Sequence, residues 1–215
     1  MTEFEKMING ELFNPADKSV LLTQIKSEFL QNKFNKCPMY LIGRRDRLFK
    51  KLVGYIDGRP YNIVSPFKCV YGKNIHIGKN FFANLGVFLQ DYAEITIEDN
   101  VMLGPYVFLL TVEHPVLPEE HIVQTIPNSI ISGSRGNFER AKPIHICKNV
   151  MIYPRTIVCG GVTIGENSII GAGSFVKNDI PPNVIAYGTP CRIIRSIYAS
   201  PSTKNAEKQR DPEMH

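Results

Sequence analysis

Long apolar runs, paired cysteines and basic tracts are all missing from this chain of 215 residues. No stretch reaches the roughly 20 apolar residues that a membrane helix needs. The charged opening MTEFEKMINGELF has no apolar core of the kind a signal peptide carries. The five cysteines Cys37, Cys69, Cys147, Cys159 and Cys191 are odd in number and widely spaced, with no CxxC and no Cys/His zinc spacing. They are expected to be reduced thiols in a cytoplasmic protein. Net charge is only +5, and no segment is dense enough in Lys and Arg to favour nucleic acid. These absences exclude a membrane span and a disulfide scaffold, and they leave one large domain with room for a small cap.

What is present is a repeat. Residues 146–181 read in sixes as ICKNVM, IYPRTI, VCGGVT, IGENSI, IGAGSF and VKNDIP. The first residue of each block (Ile146, Ile152, Val158, Ile164, Ile170, Val176) is aliphatic. The fifth (Val150, Thr156, Val162, Ser168, Ser174, Ile180) is small or β-branched. A period of six is an internal repeat and the mark of a parallel β-helix. If three blocks make one triangular turn, residues 18 apart stack: Ile146 on Ile164, Ile152 on Ile170, Val158 on Val176. Each column then buries aliphatic side chains worth roughly 1.5–3 kcal/mol apiece.

The same phase appears earlier, at Ile77, Ala83 and Leu89 and again at Ile97, Leu103 and Leu109, with Ile95-Thr96 read as two extra residues that shift the register. Ahead of it the spacing predicts three helices. One ends near Gly10. The second runs over about 18–34 with Asp17 as N-cap and an apolar stripe of Leu21, Leu22, Ile25, Phe29, Leu30 and Phe34. The third covers about 44–54, where Arg44, Arg45, Arg47, Lys50 and Lys51 read as a solvated face. Regularity breaks at His114. Residues 115–143 carry Pro115, Pro118, Pro127 and a Ser132–Gly136 run, a long excursion of the kind that is functional or disordered. After Pro181-Pro182, a last extended piece from Ile185 to Ile197 closes the domain, and the polar end of the chain is expected to be disordered.

Four motifs add specificity: MINGELFNPAD near the start, YGKNIHIGKNFFAN at 71–84, TVEHPV at 111–116, and VTIGENSIIGAGSFVKNDIPPNVIAYGTPCRIIRSI at 162–197. Together with the repeat they resemble the hexapeptide acyltransferases, and among these the maltose and galactoside O-acetyltransferases, which include nodulation-type sugar acetyltransferases. The resemblance covers about residues 5–197. It implies an all-β core: a left-handed parallel β-helix over 59–197 with a long loop, 115–143, inserted in the coil. It also implies an N-terminal helical cap over 1–58, and 198–215 is left as a tail. The left hand rests on this resemblance alone, since crossovers are otherwise right-handed. The resemblance further implies a homotrimer with active sites between prisms, acetyl-CoA as donor, a sugar-like hydroxyl as acceptor and no required metal. Nucleic-acid and membrane partners are not expected. Four departures bear on the acceptor or donor: Met151 where a Trp is usual, Lys177-Asn178, Glu113 before the His, and the sequence of the loop.

His114 is the candidate general base. Acetyl transfer from a thioester to an alcohol needs a group to take the hydroxyl proton, and a neutral imidazole with a pKa of about 6.5 suits that task. Its position where a rigid scaffold releases a loop favours function over a plain turn. The resemblance places Asn84 of the FFAN motif at the reacting centre as a second catalytic residue, and Asp17 and Asp91 near the acceptor. Their bland readings are turn former, N-cap and turn residue. Glu113 orients His114 or faces solvent. For the CoA donor the resemblance points to the backbone near Gly171-Ala172-Gly173, with Ala172 as the contact, and to Lys177, Arg192 and Arg195 for the phosphates. Three rival readings are weighed. One is an antibiotic O-acetyltransferase, and another is an idle trimeric scaffold. The third is a γ-class carbonic anhydrase using His76, His114 and His121, for which the expected close His pair is absent and His145 would be spare.

Overall fold

The computed structural model describes residues 1–58, 60–117 and 138–199, with the backbone of two short strands at Gln124–Thr125 and Arg135–Gly136. His121 and the residues from 200 onward lie outside the described set. The chain from Tyr55 winds as a parallel β-solenoid of three faces. The first face stacks Tyr55–Ile56, Ile75–Ile77, Ile95–Ile97, Ile144–Ile146 and Thr163–Ile164. The second stacks Tyr61–Ile63, Phe81–Ala83, Met102–Leu103, Met151–Ile152, Ile169–Ile170 and Val184–Tyr187, and Arg192–Ser196 adds to it antiparallel. The third stacks Lys68–Cys69, Phe88–Gln90, Phe108–Leu110, Ile157–Cys159 and Phe175–Val176. Tyr55 precedes the expected start of the coil at 59, because Tyr55 already pairs with His76.

The columns are those the repeat dictates. Ile146 pairs with Ile164, Ile152 with Ile170 and Val158 with Val176. All six are at most 1% exposed. The small fifth residues Thr156, Ser168 and Ser174 are buried too. Their hydroxyls donate to the carbonyls of Gly171, Pro181 and Gly171, so none of the three is stranded in the interior. Earlier coils are longer: Ile77 stacks on Ile97 and Leu89 on Leu109, a step of 20. The extra residues are not Ile95-Thr96 as the sequence reading placed them. Ile95 stacks on Ile75 and is fully buried, so the surplus lies in the corner Asp91–Glu94.

Each of the three edges has its own character. Between the first and second faces, Asn80, Asn100, Asn149, Asn167 and Asn183 all adopt left-handed backbone, with φ from 54° to 63°. Asn tolerates that region best among residues with a Cβ. Their amides form a ladder, each Nδ2 donating to the next Oδ1 at 2.8–3.0 Å. Between the second and third faces, Gly86, Tyr106, Arg155 and Gly173 make the corresponding left-handed turn. The edge between the third and first faces is irregular. It holds the corner at Asp91 and releases the long excursion after Thr111.

Three helices close the open end: α1 Glu3–Ile8, α2 Lys18–Asn35 and α3 Ile42–Leu52. Asp17 caps α2 as expected, its carboxylate accepting from the Ser19 amide at 2.8 Å. The expected apolar stripe of α2 holds only at Phe34, which is buried, and Leu30, which packs on the core. Leu22, Ile25 and Phe29 are exposed, and α2 buries Val20, Ser27, Gln31 and Phe34. The first coil has no coil beneath it, so its backbone groups need partners. Gln31 accepts from the Cys69 amide at 2.8 Å, and Asn35 exchanges two bonds with the Phe67 backbone at 2.8 and 2.9 Å. A helix that caps a solenoid presents polar groups inward for that reason.

Arg45 corrects the reading of α3 as a uniformly solvated basic face. It is 8% exposed. Its guanidinium donates to the carbonyls of Phe34, Cys37 and Ile63 and to Ser65 Oγ at 2.7–3.2 Å. It also lies 4.1 Å over the Phe34 ring. Among the described residues, no helix is long and apolar enough to cross a membrane.

Candidate active site

The irregular edge carries the first group of candidate residues. After Thr111 the chain leaves the coil as Val112–Glu113, which pairs antiparallel with the returning Arg140–Ala141. His114 follows at the surface, at the point of departure the repeat had marked. Glu139 is delivered to it by the return strand. Its backbone bridges Phe13 through bonds of 3.1 and 3.2 Å, which ties the excursion to the helical cap. Glu139 Oε2 is buried with no hydrogen-bond partner among the described residues. Burial pushes the Glu139 carboxyl above its ordinary range, and the neighbouring His114 pulls it back. A carboxylate close to an imidazole can help hold that ring's orientation.

The floor beneath is a second small core of Met7, Phe13, Val20 and Tyr71, with Tyr92 packed on it. Tyr71 and Tyr92 meet edge to face at 5.2 Å. Burial, first of all, raises both phenols, Tyr92 to about 12, so they stay neutral hydrogen-bonding groups. Glu139, Tyr71 and Tyr92 were missed in the sequence. The motif YGKN contains Tyr71, but nothing in the spacing marks Glu139, which meets His114 only because the excursion returns as a strand.

The expected acidic residues have structural duties here. Asp91 is fully buried, and its carboxylate accepts from the amides of Val70, Tyr71 and Asn74 at 2.9–3.3 Å. That is the turn role of its bland reading, and no atom of Asp91 faces solvent where a substrate could meet it. Asp17 serves as the α2 cap. The Glu113 carboxylate makes a surface ion pair with Lys142 Nζ at 2.8 Å and stays partly exposed, in keeping with its solvent-facing reading.

The remaining candidate residues lie on the edge between the second and third faces. Asn84 donates its amide N–H to Leu103 O, and Gly104, Tyr153 and Gly171 follow above it coil by coil. Asn84 lines a groove of about 210 Å³ with Phe82, Met102, Gly104, Met151, Tyr153 and Pro154. Met151, the departure from the usual Trp, is in its wall. Ala172 is exposed on the same edge, three coils above Asn84. Gly171 beside it is required by the chain itself, because a Cβ there would come within 2.7 Å of Tyr187 Cβ. Arg192, paired with Tyr187, starts the last strand near this edge. Arg195 is further along that strand, bonded to the carbonyls of Ser196 and Ala199. Lys177 sits instead on the irregular edge, in the electrostatic neighbourhood of Cys159, as Glu113 does. The expected basic cluster is therefore split between two edges. Of the rival histidines, His76 stands on the outer side of the first face and His145 pairs with Glu98 at 2.7 Å.

Comparison with known proteins agrees with this architecture. Residues 143–178 match the bacterial transferase hexapeptide family (six repeats), and residues 6–62 match the maltose acetyltransferase hexapeptide capping motif. The galactoside O-acetyltransferase of Escherichia coli K12 is 36% identical over 193 residues, covering 90% of this chain and 88% of its own. The crystal structure of a maltose O-acetyltransferase from Clostridium difficile 630 superposes with a TM-score of 0.81 at 37% identity, covering 91% of this chain and 97% of that one. A galactoside acetyltransferase in complex with coenzyme A superposes with a TM-score of 0.80 at 36% identity, covering 92% of both chains. By fold, cap and sequence, this chain belongs to the hexapeptide-repeat O-acetyltransferases, in the family of the galactoside and maltose enzymes.

Proposed function

We propose that the protein transfers an acetyl group from acetyl-CoA to a hydroxyl of a sugar or glycoside, with His114 as general base. The observation that carries the reading is the placement of His114 at the release of the excursion, backed by the buried Glu139 carboxyl. His114 takes the proton as the acceptor oxygen attacks the thioester carbonyl. It returns that proton to the sulfur as the C–S bond breaks. No acyl-enzyme is needed when both substrates are aligned, since alignment alone lowers a barrier by several kcal/mol. Asn84 is assigned to the reacting centre. The exposed edge at Ala172 and Arg192 is assigned to the donor, in keeping with the coenzyme A complex of a relative. The names of the relatives support a sugar acceptor.

The two half-sites lie on different edges of one prism. A face about five residues wide spans roughly 16 Å, so His114 and Asn84 of one chain do not converge. The outer faces support a solution. The second face exposes the column Phe82, Met102, Met151 and Ile169, and the third exposes Phe88, Phe108, Ile157 and Phe175. The first face instead presents His76, Thr96, His145 and Thr163. Two apolar faces packing heterologously close into a ring. A homotrimer of this kind joins the Asn84 edge of one protomer to the His114 edge of the next.

Thiol release from acetyl-CoA with a panel of sugars and hydroxylated antibiotics tests the reading. Acetylation of a sugar is expected, and turnover of an antibiotic alone would overturn the acceptor class. His114→Ala should lower kcat about a hundred- to ten-thousand-fold without loss of fold, and near-normal turnover would end the assignment. Mixing unfolded His114→Ala and Asn84→Ala chains and refolding them together should restore part of the activity. A fully active monomer would refute the shared site.

A further inference from the structure

The edge between the first and second faces takes no part in the reading above, yet it carries a constellation of its own. Glu98, His145 and Cys147 each offer one donor atom, and the three atoms lie within 4.8 Å of one another. It is the one such group of three among the described residues. Coil geometry assembles it. His145 and Cys147 flank the inward Ile146 on one strand, so both side chains point outward. Ile97 pairs with Ile146, which sets Glu98 beside Cys147 on the adjoining strand. The set is also pre-organised. Glu98 Oε2 accepts from the Lys148 amide at 2.8 Å while Oε1 meets His145 Nε2 at 2.7 Å. Lys148 Nζ, the nearest cation, is drawn aside to Glu166 at 2.9 Å.

We propose that Glu98, His145 and Cys147 bind one zinc-class divalent ion. One thiolate, one imidazole and one carboxylate are the ligands such an ion takes at about 2.0–2.3 Å, and three protein ligands leave a position for water. An open cavity of about 390 Å³, whose lining includes Tyr55, His76, Ile97, Glu98, Asp99 and Lys148, adjoins the site and leaves Glu98 accessible to an ion. Binding releases the Cys147 thiol proton to solvent and replaces the His145–Glu98 hydrogen bond with two metal bonds. Because a thiol must lose its proton to ligate, the affinity rises with pH. The ligands span the seam of the solenoid. Glu98 belongs to the coil before the excursion, and His145 and Cys147 to the coil after it. The ion therefore clamps the strands that the inserted segment separates in sequence, away from both edges assigned to acetyl transfer.

The test uses the full chain stripped of metal by a chelator. Titration with Zn²⁺ against a chromophoric competitor should give one equivalent per chain, weakened about tenfold or more by His145→Ala or Glu98→Gln. Co²⁺ should show a thiolate-to-metal charge-transfer band that disappears in Cys147→Ser and persists in Cys159→Ser. In the unaltered protein, Zn²⁺ should slow alkylation of Cys147 by iodoacetamide and leave Cys159 unprotected, a readout that needs no variant to fold. Acetyl transfer should be the same with and without the ion. Binding unchanged in Cys147→Ser, a thiolate band that follows Cys159, or equal alkylation of Cys147 with and without Zn²⁺ would overturn the site and leave adventitious binding only.

Discussion

Replacing Arg45 by Met should loosen the helical cap more than any other change to the basic face of α3. The guanidinium serves three backbone carbonyls, of Phe34, Cys37 and Ile63, and one hydroxyl, of Ser65. Phe34 and Cys37 lie at the C-terminus of α2, where the helix dipole favours a cation. Ile63 belongs to the first coil, so one side chain ties both elements together. Each buried carbonyl left without a donor costs about 1–3 kcal/mol. Loss of the contact over Phe34 adds about 1 kcal/mol. Methionine avoids the desolvation of the guanidinium, which offsets several kcal/mol. The balance is a loss of about 3 kcal/mol. Arg45→Lys keeps the charge but not the fork, and should fall in between. Arg44→Met, on the exposed side, should change stability by less than about 0.5 kcal/mol. Urea unfolding at one fixed chain concentration measures all three. Equal effects for Arg44→Met and Arg45→Met, or no effect of either, would refute the argument that a buried cation pins the cap.

Two further substitutions probe the coil. Burial raises Asp91 from 3.8 to about 7, with the amides of Tyr71, Val70 and Asn74 pulling the other way. The folded protein then holds more protons than the unfolded chain between these values, so stability from this group falls as pH rises through about 4 to 7, by on the order of 4 kcal/mol. Asp91→Asn should remove that slope, and parallel stability curves for the two proteins would count against it. Asn149 holds φ 61° and bonds to both Asn100 and Asn167 in the ladder. Asn149→Ala should cost about 2 kcal/mol, split between the left-handed backbone and two exposed hydrogen bonds, and Asn149→Gly roughly half of that. Thermal unfolding distinguishes them, and equal losses would deny the backbone its share.

Legibility followed periodicity. Ile146, Ile152 and Val158 could be placed in their columns from spacing alone, because the interior of a narrow prism calls for an aliphatic residue at the same point of every block of six. His114 was legible as the residue at which that rule stops. Asp91 was not, since a carboxylate in a turn looks the same whether it faces solvent or three amides. Glu139 was not, because its meeting with His114 depends on a strand that returns after a long excursion.

The chain's pattern of aliphatic residues determined the solenoid, its core columns and the point where the excursion leaves. Tertiary structure decided how the surplus residues are absorbed at one corner and why α2 turns Gln31 and Asn35 inward instead of Leu22 and Phe29. It also decided that Arg45 is buried, and that the candidate site residues are divided between two edges. The physical reason is common to these cases. Burial of apolar side chains repeats with the chain and leaves its trace in the sequence, whereas a polar group is placed by whichever unpaired partner the finished fold leaves beside it.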